Sequence, residues 1–309
     1  MKYKLLSLLA LSTIFSYSVE LRVGKGTFDV DMGISNLMNT QMELDTTIFS
    51  LANSHDNFSS SQFYYTYDID VYTSEFQRQD THIVKKASYK SMQPNANDAS
   101  SSTKAAVSTS NASTLSTEYK ITGLDINFGL GYDLHNNGSS YFGVSVMSGL
   151  SLPLLEIGNS DDGSSDEGSA SDSYNLLDET DFTILTYKLA VGLHAGTYLT
   201  SNLMLQGSAA YGMQTGSIEN DWLGASFDVD GTYKSLNVAL KYTALQGHQS
   251  FLGIHFDNEL YFVGGYTYKS WDVDTAQLGQ TNTGTVSSLG LFDLSFETNY
   301  LYAGIGYNF

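Results

Sequence analysis

The last ten residues constrain this chain most. From Tyr300 to Phe309 they read Tyr-Leu-Tyr-Ala-Gly-Ile-Gly-Tyr-Asn-Phe. In a strand, Leu301, Ala303, Ile305, Tyr307 and Phe309 share one face, and Tyr302, Gly304, Gly306 and Asn308 share the other. The same alternation recurs upstream. Phe63, Tyr65, Tyr67, Ile69 and Val71 oppose Tyr64, Asp68, Asp70 and Tyr72, and Leu124, Ile126, Phe128 and Leu130 oppose Asp125, Asn127 and Gly129. Further copies run through Leu185–Leu193, Leu203–Met213 and Leu236–Tyr242. The 309 residues hold only two prolines, Pro94 and Pro153, which suits long hydrogen-bonded ladders. Cysteine is absent, so a small disulfide scaffold is excluded. The fold class expected is all-β.

The other end of the chain has a different pattern. Lys2 and Lys4 precede an apolar run from Leu5 to Phe15, and Ser16-Tyr17-Ser18 supplies small residues for cleavage. This is the pattern of a secretory signal peptide, expected to be removed after Ser18. The run is too short to span a membrane as a helix, and no later stretch has eighteen consecutive apolar residues. A leader of this kind, with a final strand that ends on an aromatic, resembles the bacterial outer-membrane β-barrel proteins. The resemblance implies a transmembrane antiparallel up-and-down β-barrel placed in the outer membrane. It implies contact with outer-membrane lipid and lipopolysaccharide. It also implies that Tyr307 and Phe309 belong to the assembly signal read by the barrel-insertion machinery.

Connection lengths fit this expectation. Short turns sit near positions 137, 201 and 247, and longer polar connections at 75–117, 155–180, 217–225 and 269–287. Short periplasmic turns and long external loops are the asymmetry of such barrels. The domain reading is therefore a signal peptide over 1–18 and a barrel over 19–309, with long external loops at 75–117 and 155–180. Ten strands are expected if 40–52 is a strand. The spacing of Leu37, Leu44, Ile48 and Leu51 also fits a plug helix, which would leave eight strands. Splitting 286–309, whose apolar parity changes between Phe296 and Leu301, would give twelve; a β-bulge would explain the same change. A soluble β-sandwich or lipocalin-like barrel would show the same periodicity with its faces reversed. The two chain ends favour the membrane form.

The formal charge of −19 excludes nucleic-acid binding, which needs a basic surface. The polar strand face supplies the candidate pore-lining residues: Lys25, Asp68, Asp70, Asp125, Lys188, Lys241, His255, Asp257 and Glu259. Asp29, Asp31 and His194 fall on the same face by parity. In a barrel of eight to ten strands such a set either pairs and fills the lumen or lines an acidic path for inorganic cations or small solutes. The function expected is non-enzymatic: a narrow porin-like channel or a surface and structural barrel, with no catalytic residue, metal or cofactor. Asp68-x-Asp70 and His255-x-Asp257 carry the alternative. Two inward acidic and Asp/His pairs resemble the ten-stranded omptin-type outer-membrane proteases, where such pairs activate water. Here the order is His-x-Asp, and His255 lies close to a short turn rather than at the outer rim. No His-x-Ser pairing in a strand suggests a phospholipase or acyltransferase. The acidic run Asp161–Asp181 lacks an EF-hand spacing and reads as a solvated loop.

Overall fold

The structure is a computed structural model. It describes residues 18–34, 38–53, 55–57, 61–84, 112–158, 182–220, 225–247, 249–251, 254–256, 259–278 and 292–308. The leader, most of the long connections, Asp257 and Phe309 lie outside the described residues. The strands are β1 (Ser18–Ile34), β2 (Met38–Ala52), β3 (Asp56–Asn57), β4 (Phe63–Thr73), β5 (Gln77–Val84), β6 (Ala112–Asn136) and β7 (Ser140–Ile157). They continue as β8 (Phe182–Tyr198), β9 (Leu203–Asn220), β10 (Ala225–Leu245), β11 (Gln249–Phe251), β12 (Ile254–Phe256), β13 (Leu260–Leu278) and β14 (Phe292–Asn308). No helix occurs among the described residues.

Ten staves close on themselves. Each pairs antiparallel with its neighbours, and β1 joins both β2 and β14, which seals the barrel. β4 and β5 together make one stave between β2 and β6. That stave breaks at residues 74–76, where Ser74 keeps contact by exchanging hydrogen bonds with the Ile121 backbone. Beyond the break, the side-chain amide of Gln77 replaces the missing ladder. It accepts from the Asp45 N–H and donates to the Asp45 carbonyl, both at 2.9 Å. Closure pairs both sides of each long stave, so among the described residues the ring itself has no open seam.

Apart from register shifts near Asp230, Thr243 and Asp133, the strands keep their parity but change chemistry partway along. Near the short turns, outward residues are apolar and exposed: Leu21 and Val23 on β1, Phe49 on β2, Val191 and Leu193 on β8, Leu301 and Ile305 on β14. Farther along the same faces stand Lys25 on β1, Glu43 and Asp45 on β2, Glu118 on β6, and Asp228 and Asp230 on β10, all exposed. The interior does the reverse. Near the turns it holds Glu20, Arg22, Asp125 and Lys241; beyond them it holds Phe28, Leu44, Ile121, Ile184, Val229 and Phe296, all buried. Phe28 sits at the centre of this apolar layer, with ring centroids 5.2 Å from Tyr72, 6.2 Å from Trp271 and 6.1 Å from Phe296. One half of the wall is therefore apolar outside and polar inside; the other half is built like a soluble β-barrel.

The strand count of ten is as expected, and several details differ. Residues 40–52 form strand, because Leu44 and Ile48 are four apart and so share a strand face as readily as a helix face. The parity change in 286–309 is neither a bulge nor a turn. Leu294 and Phe296 point into the apolar layer while Leu301, Ala303 and Ile305 point outward, all on one continuous strand. The span 217–225 is no long connection, since β9 and β10 pair up to Asn220 and Ala225. Strand pairing also runs into both expected loops, through Gln77–Val84 and Ala112–Glu118 on one side and to Ile157 on the other. Beyond the Gln246–Gly247 turn, the chain makes a separate hairpin of β11 and β12 before the wall resumes at Leu260. Gly138 and Gly247, with φ of 80° and 70°, occupy the left-handed region in the short turns, where other residues would be strained.

The two-zone wall has a measurable consequence. Arginine at Val191, in the apolar belt, is expected to cost about 2–4 kcal/mol in denaturant unfolding from a bilayer. Arginine at Gln41, on the polar outer zone, is expected to stay within about 0.5 kcal/mol of the parent. Equal costs at the two positions would contradict the zoning.

Candidate functional site

The polar interior converges on one ammonium group. Lys269 on β13 places its Nζ 2.9 Å from Asp68 Oδ1, 2.7 Å from Asp70 Oδ2 and 2.9 Å from Asp125 Oδ2. β13 and β6 lie five staves apart whichever way the ring is followed, so the Lys269–Asp125 contact crosses the full lumen. Asp125 also holds Lys188 of β8 and Ser151 of β7 through its other oxygen. Lys188 reaches Ser151 at 3.1 Å, and its charge lies 4.6 Å from the Tyr233 ring centroid. Tyr300 donates to Asp70 at 2.7 Å. Arg22 joins from β1, 3.8 Å from Asp68, while its Nε donates to Glu20 at 2.8 Å. Tyr261 completes Glu20 with a hydrogen bond of 3.0 Å.

Three cations and four carboxylates thus meet there, and all but Asp68 are nearly fully buried. A bare ion there would cost several kcal/mol, so each is held by opposite charge and hydrogen bonds. Asp68, Asp70 and Asp125 bring carboxylate oxygens within 4.8 Å of one another, a grouping that suits a cation. The cation among them is Lys269 itself.

Below this cluster, toward the short turns, lie two polar chambers. One, of about 100 Å³, is lined by Arg22, Asp68, Asn127, His194, Gln206 and Lys269 among others. The second, of about 220 Å³, opens among His55, Asn136, Tyr141, Tyr198, Lys241 and Glu259. At its wall, fully buried Asp133 accepts from Asn57 and Asn136 at 2.8 Å, and its Oδ2 lies 3.2 Å from His55 Nε2. The His55 ring stacks on Tyr141 at 4.0 Å between centroids. Above the cluster, the apolar layer around Phe28 fills the barrel.

Asp68, Asp70, Asp125, Lys188 and Lys241 face the interior, where parity puts them. The Lys241 charge lies 3.6 Å from the Tyr261 ring centroid. Lys25 does not face the lumen. β1 turns its even-numbered residues inward, so Lys25 is exposed on the outer wall, and Asp29 and Asp31 share its parity. His255 is off the barrel wall, in the β11–β12 hairpin opposite Ser250. Asp257 lies outside the described residues, as does Phe309 of the assembly signal; Tyr307 pairs with Val19 and Leu260 on β14. Glu259 sits at the turn-side mouth, accepting from Asn308 at 2.5 Å and Gln246 at 3.3 Å. Asp68 and Asp70 are thus joined to Lys269, while the side chain of His255 lies outside what the structure describes. Sequence reading missed Lys269, Arg22, Glu20, His55 and Asp133. Parity could have found Asp133, which continues the inward series Asp125, Asn127, Gly129 and Gly131.

Replacing Lys269 by Met leaves Asp70 and Asp125 buried without their shared cation. A loss of about 3–5 kcal/mol in unfolding free energy is expected. A loss below about 1 kcal/mol would show that the cluster does not hold the barrel.

No protein-family model matches the chain, and no curated protein matches it. Solved structures do. The outer-membrane protease OmpT from Escherichia coli superposes with a TM-score of 0.55 at 11% identity, over 94% of this chain and 97% of that one. The Pseudomonas putida toluene transporter TodX gives 0.26 at 12% identity, over 97% and 92%. A FadL homologue from Pseudomonas aeruginosa gives 0.28 at 9% identity, over 94% and 90%. At such identities the first likeness concerns the fold alone, and the other two are too distant to bear on more. Closed ring and strand count agree with the first likeness: the chain folds as a ten-stranded antiparallel up-and-down barrel similar in fold to OmpT.

Proposed function

We propose that this chain is a non-enzymatic barrel of the bacterial outer membrane, closed across its middle, that acts as a structural and surface-presenting element. The observation that carries this reading is the Lys269 cage with Asp68, Asp70 and Asp125, which joins opposite walls of the lumen. The apolar layer around Phe28 supports it, because an ion path would have to cross buried aromatic and aliphatic side chains. The apolar outer belt supports a bilayer setting, with the short turns on the periplasmic side. On this placement the polar outer zone and the long connections stand outside the cell beside lipopolysaccharide. Export through the leader and insertion by the barrel machinery, guided by the terminal strand, belong to the same proposal.

A second reading, a narrow cation-conducting channel, draws on the two polar chambers. It requires the cage to open. Single-channel recording of refolded residues 19–309 in a planar bilayer separates the two. The closed-barrel reading expects no stable steps from protein shown to be folded and inserted. Reproducible steps with a cation-selective reversal potential would overturn it.

A further inference from the structure

The larger polar chamber, of about 220 Å³, sits at the mouth formed by the short turns, with Gly138 and Ser139 on its rim. Its charged groups are already engaged. Glu259 accepts from Asn308 and Gln246, and the Lys241 ammonium lies over the Tyr261 ring. Its neutral groups are not. Gln206 is only 8% exposed, and among the described residues no hydrogen bond reaches its carboxamide. The hydroxyls of Tyr141 and Tyr198 likewise have no hydrogen-bond partner among the described residues.

Strand register brings these three groups together. Gly196 on β8 pairs with Tyr141 on β7 and with Gln206 on β9. A Cβ at Gly196 would stand 2.5 Å from the Tyr141 ring and 2.7 Å from the Met204 methyl, so the glycine lets that ring lie across the ladder toward β9. Tyr198, two residues on, shares the inward parity and pairs with Met204. Gln206 and Tyr141 border the smaller chamber as well, so they form the floor of the larger one.

We infer that this chamber binds the pyranose ring of a neutral sugar. A buried carboxamide without a partner is costly, and a ligand that both donates and accepts removes that cost. Phenol and carboxamide groups match sugar hydroxyls, which also do both, and with the charges engaged a polyol fits better than an ion. The Tyr rings and the Met204 methyl offer apolar contact to the C–H faces of the ring. The volume falls below the roughly 300–1,000 Å³ of drug-sized pockets, which limits the occupant to one ring. A free monosaccharide and the end of a glycan chain present this same chemistry. The orientation proposed above turns the chamber toward the periplasm, but binding itself does not depend on that orientation.

Saturation-transfer difference NMR on the refolded chain, in micelles of a zwitterionic detergent without a sugar headgroup, tests the inference. The probes are D-glucose, cellotetraose and L-alanine. Saturable glucose binding with a Kd in the millimolar range is expected. Tyr141→Phe, Tyr198→Phe and Gln206→Met each remove one hydrogen-bonding group and are expected to weaken it about fivefold. Y198F changes a hydroxyl at the exposed rim and keeps the test open if Q206M fails to fold. Cellotetraose binding as tightly as glucose would assign the chamber to chain ends, and its exclusion to free sugar; both outcomes support the inference. Absence of saturable glucose binding by folded protein would overturn it. So would an affinity unchanged in all the folded variants, or tighter binding of alanine, which would assign the chamber to a zwitterion held by Lys241 and Glu259.

Discussion

The barrel depends on an ammonium group that bridges its two sides. A ten-stranded ring is narrow enough for side chains from opposite walls to meet. Once they meet, water cannot solvate them, and every charge needs a partner. Lys269 answers three carboxylates at once, Lys188 takes the remaining oxygen of Asp125, and Arg22 links Asp68 to Glu20. Tyr300, Tyr261 and Ser151 satisfy further lone pairs. Burial of these ions is favourable only because the set is nearly complete.

This cluster also marks the level at which the wall inverts. Toward the short turns, the exterior suits lipid and the interior is polar. Beyond it, the exterior suits water and the interior is an apolar core around Phe28. The backbone need not change to achieve this. On β1 and β14 parity is constant and only the residue types exchange roles, between Val23 and Lys25 on β1 and between Leu301 and Phe296 on β14. On the membrane placement proposed above, the outer half projects past the bilayer and the inner half anchors it. The ionic cluster and the apolar core are stacked plugs made by different physics.

Much of the architecture was legible in the sequence because alternation with period two survives without tertiary context. The strand series Asp125, Asn127, Gly129 against Leu124, Ile126, Phe128 needed only parity. The inversion is not legible, because alternation does not say that the polar face changes sides along a strand. With the polar face inside throughout, Lys25 falls in the lumen and the final strand looks interrupted. Residues 250–268 alternate well, yet β11 and β12 pair with each other and the wall resumes only at Leu260, since alternation does not say which ladder a segment joins. Lys269 gave no local signal. Its importance comes from facing Asp125 across the ring, a relation between β13 and β6 set by the closed topology. The His55–Asp133 pair was hidden for the same reason, with His55 in a connection and Asp133 near the end of β6.

The central claim is that Lys269 and Asp125 touch across the lumen and stabilise the barrel together. A double-mutant cycle with Lys269→Met and Asp125→Asn, read by reversible unfolding of the refolded barrel, tests it most directly. The account expects a coupling of about 2–3 kcal/mol, since contacting residues in one ion network are strongly non-additive. Additivity within about 0.5 kcal/mol, as found for distant sites, would mean that the two walls do not meet and would contradict the closed barrel described here.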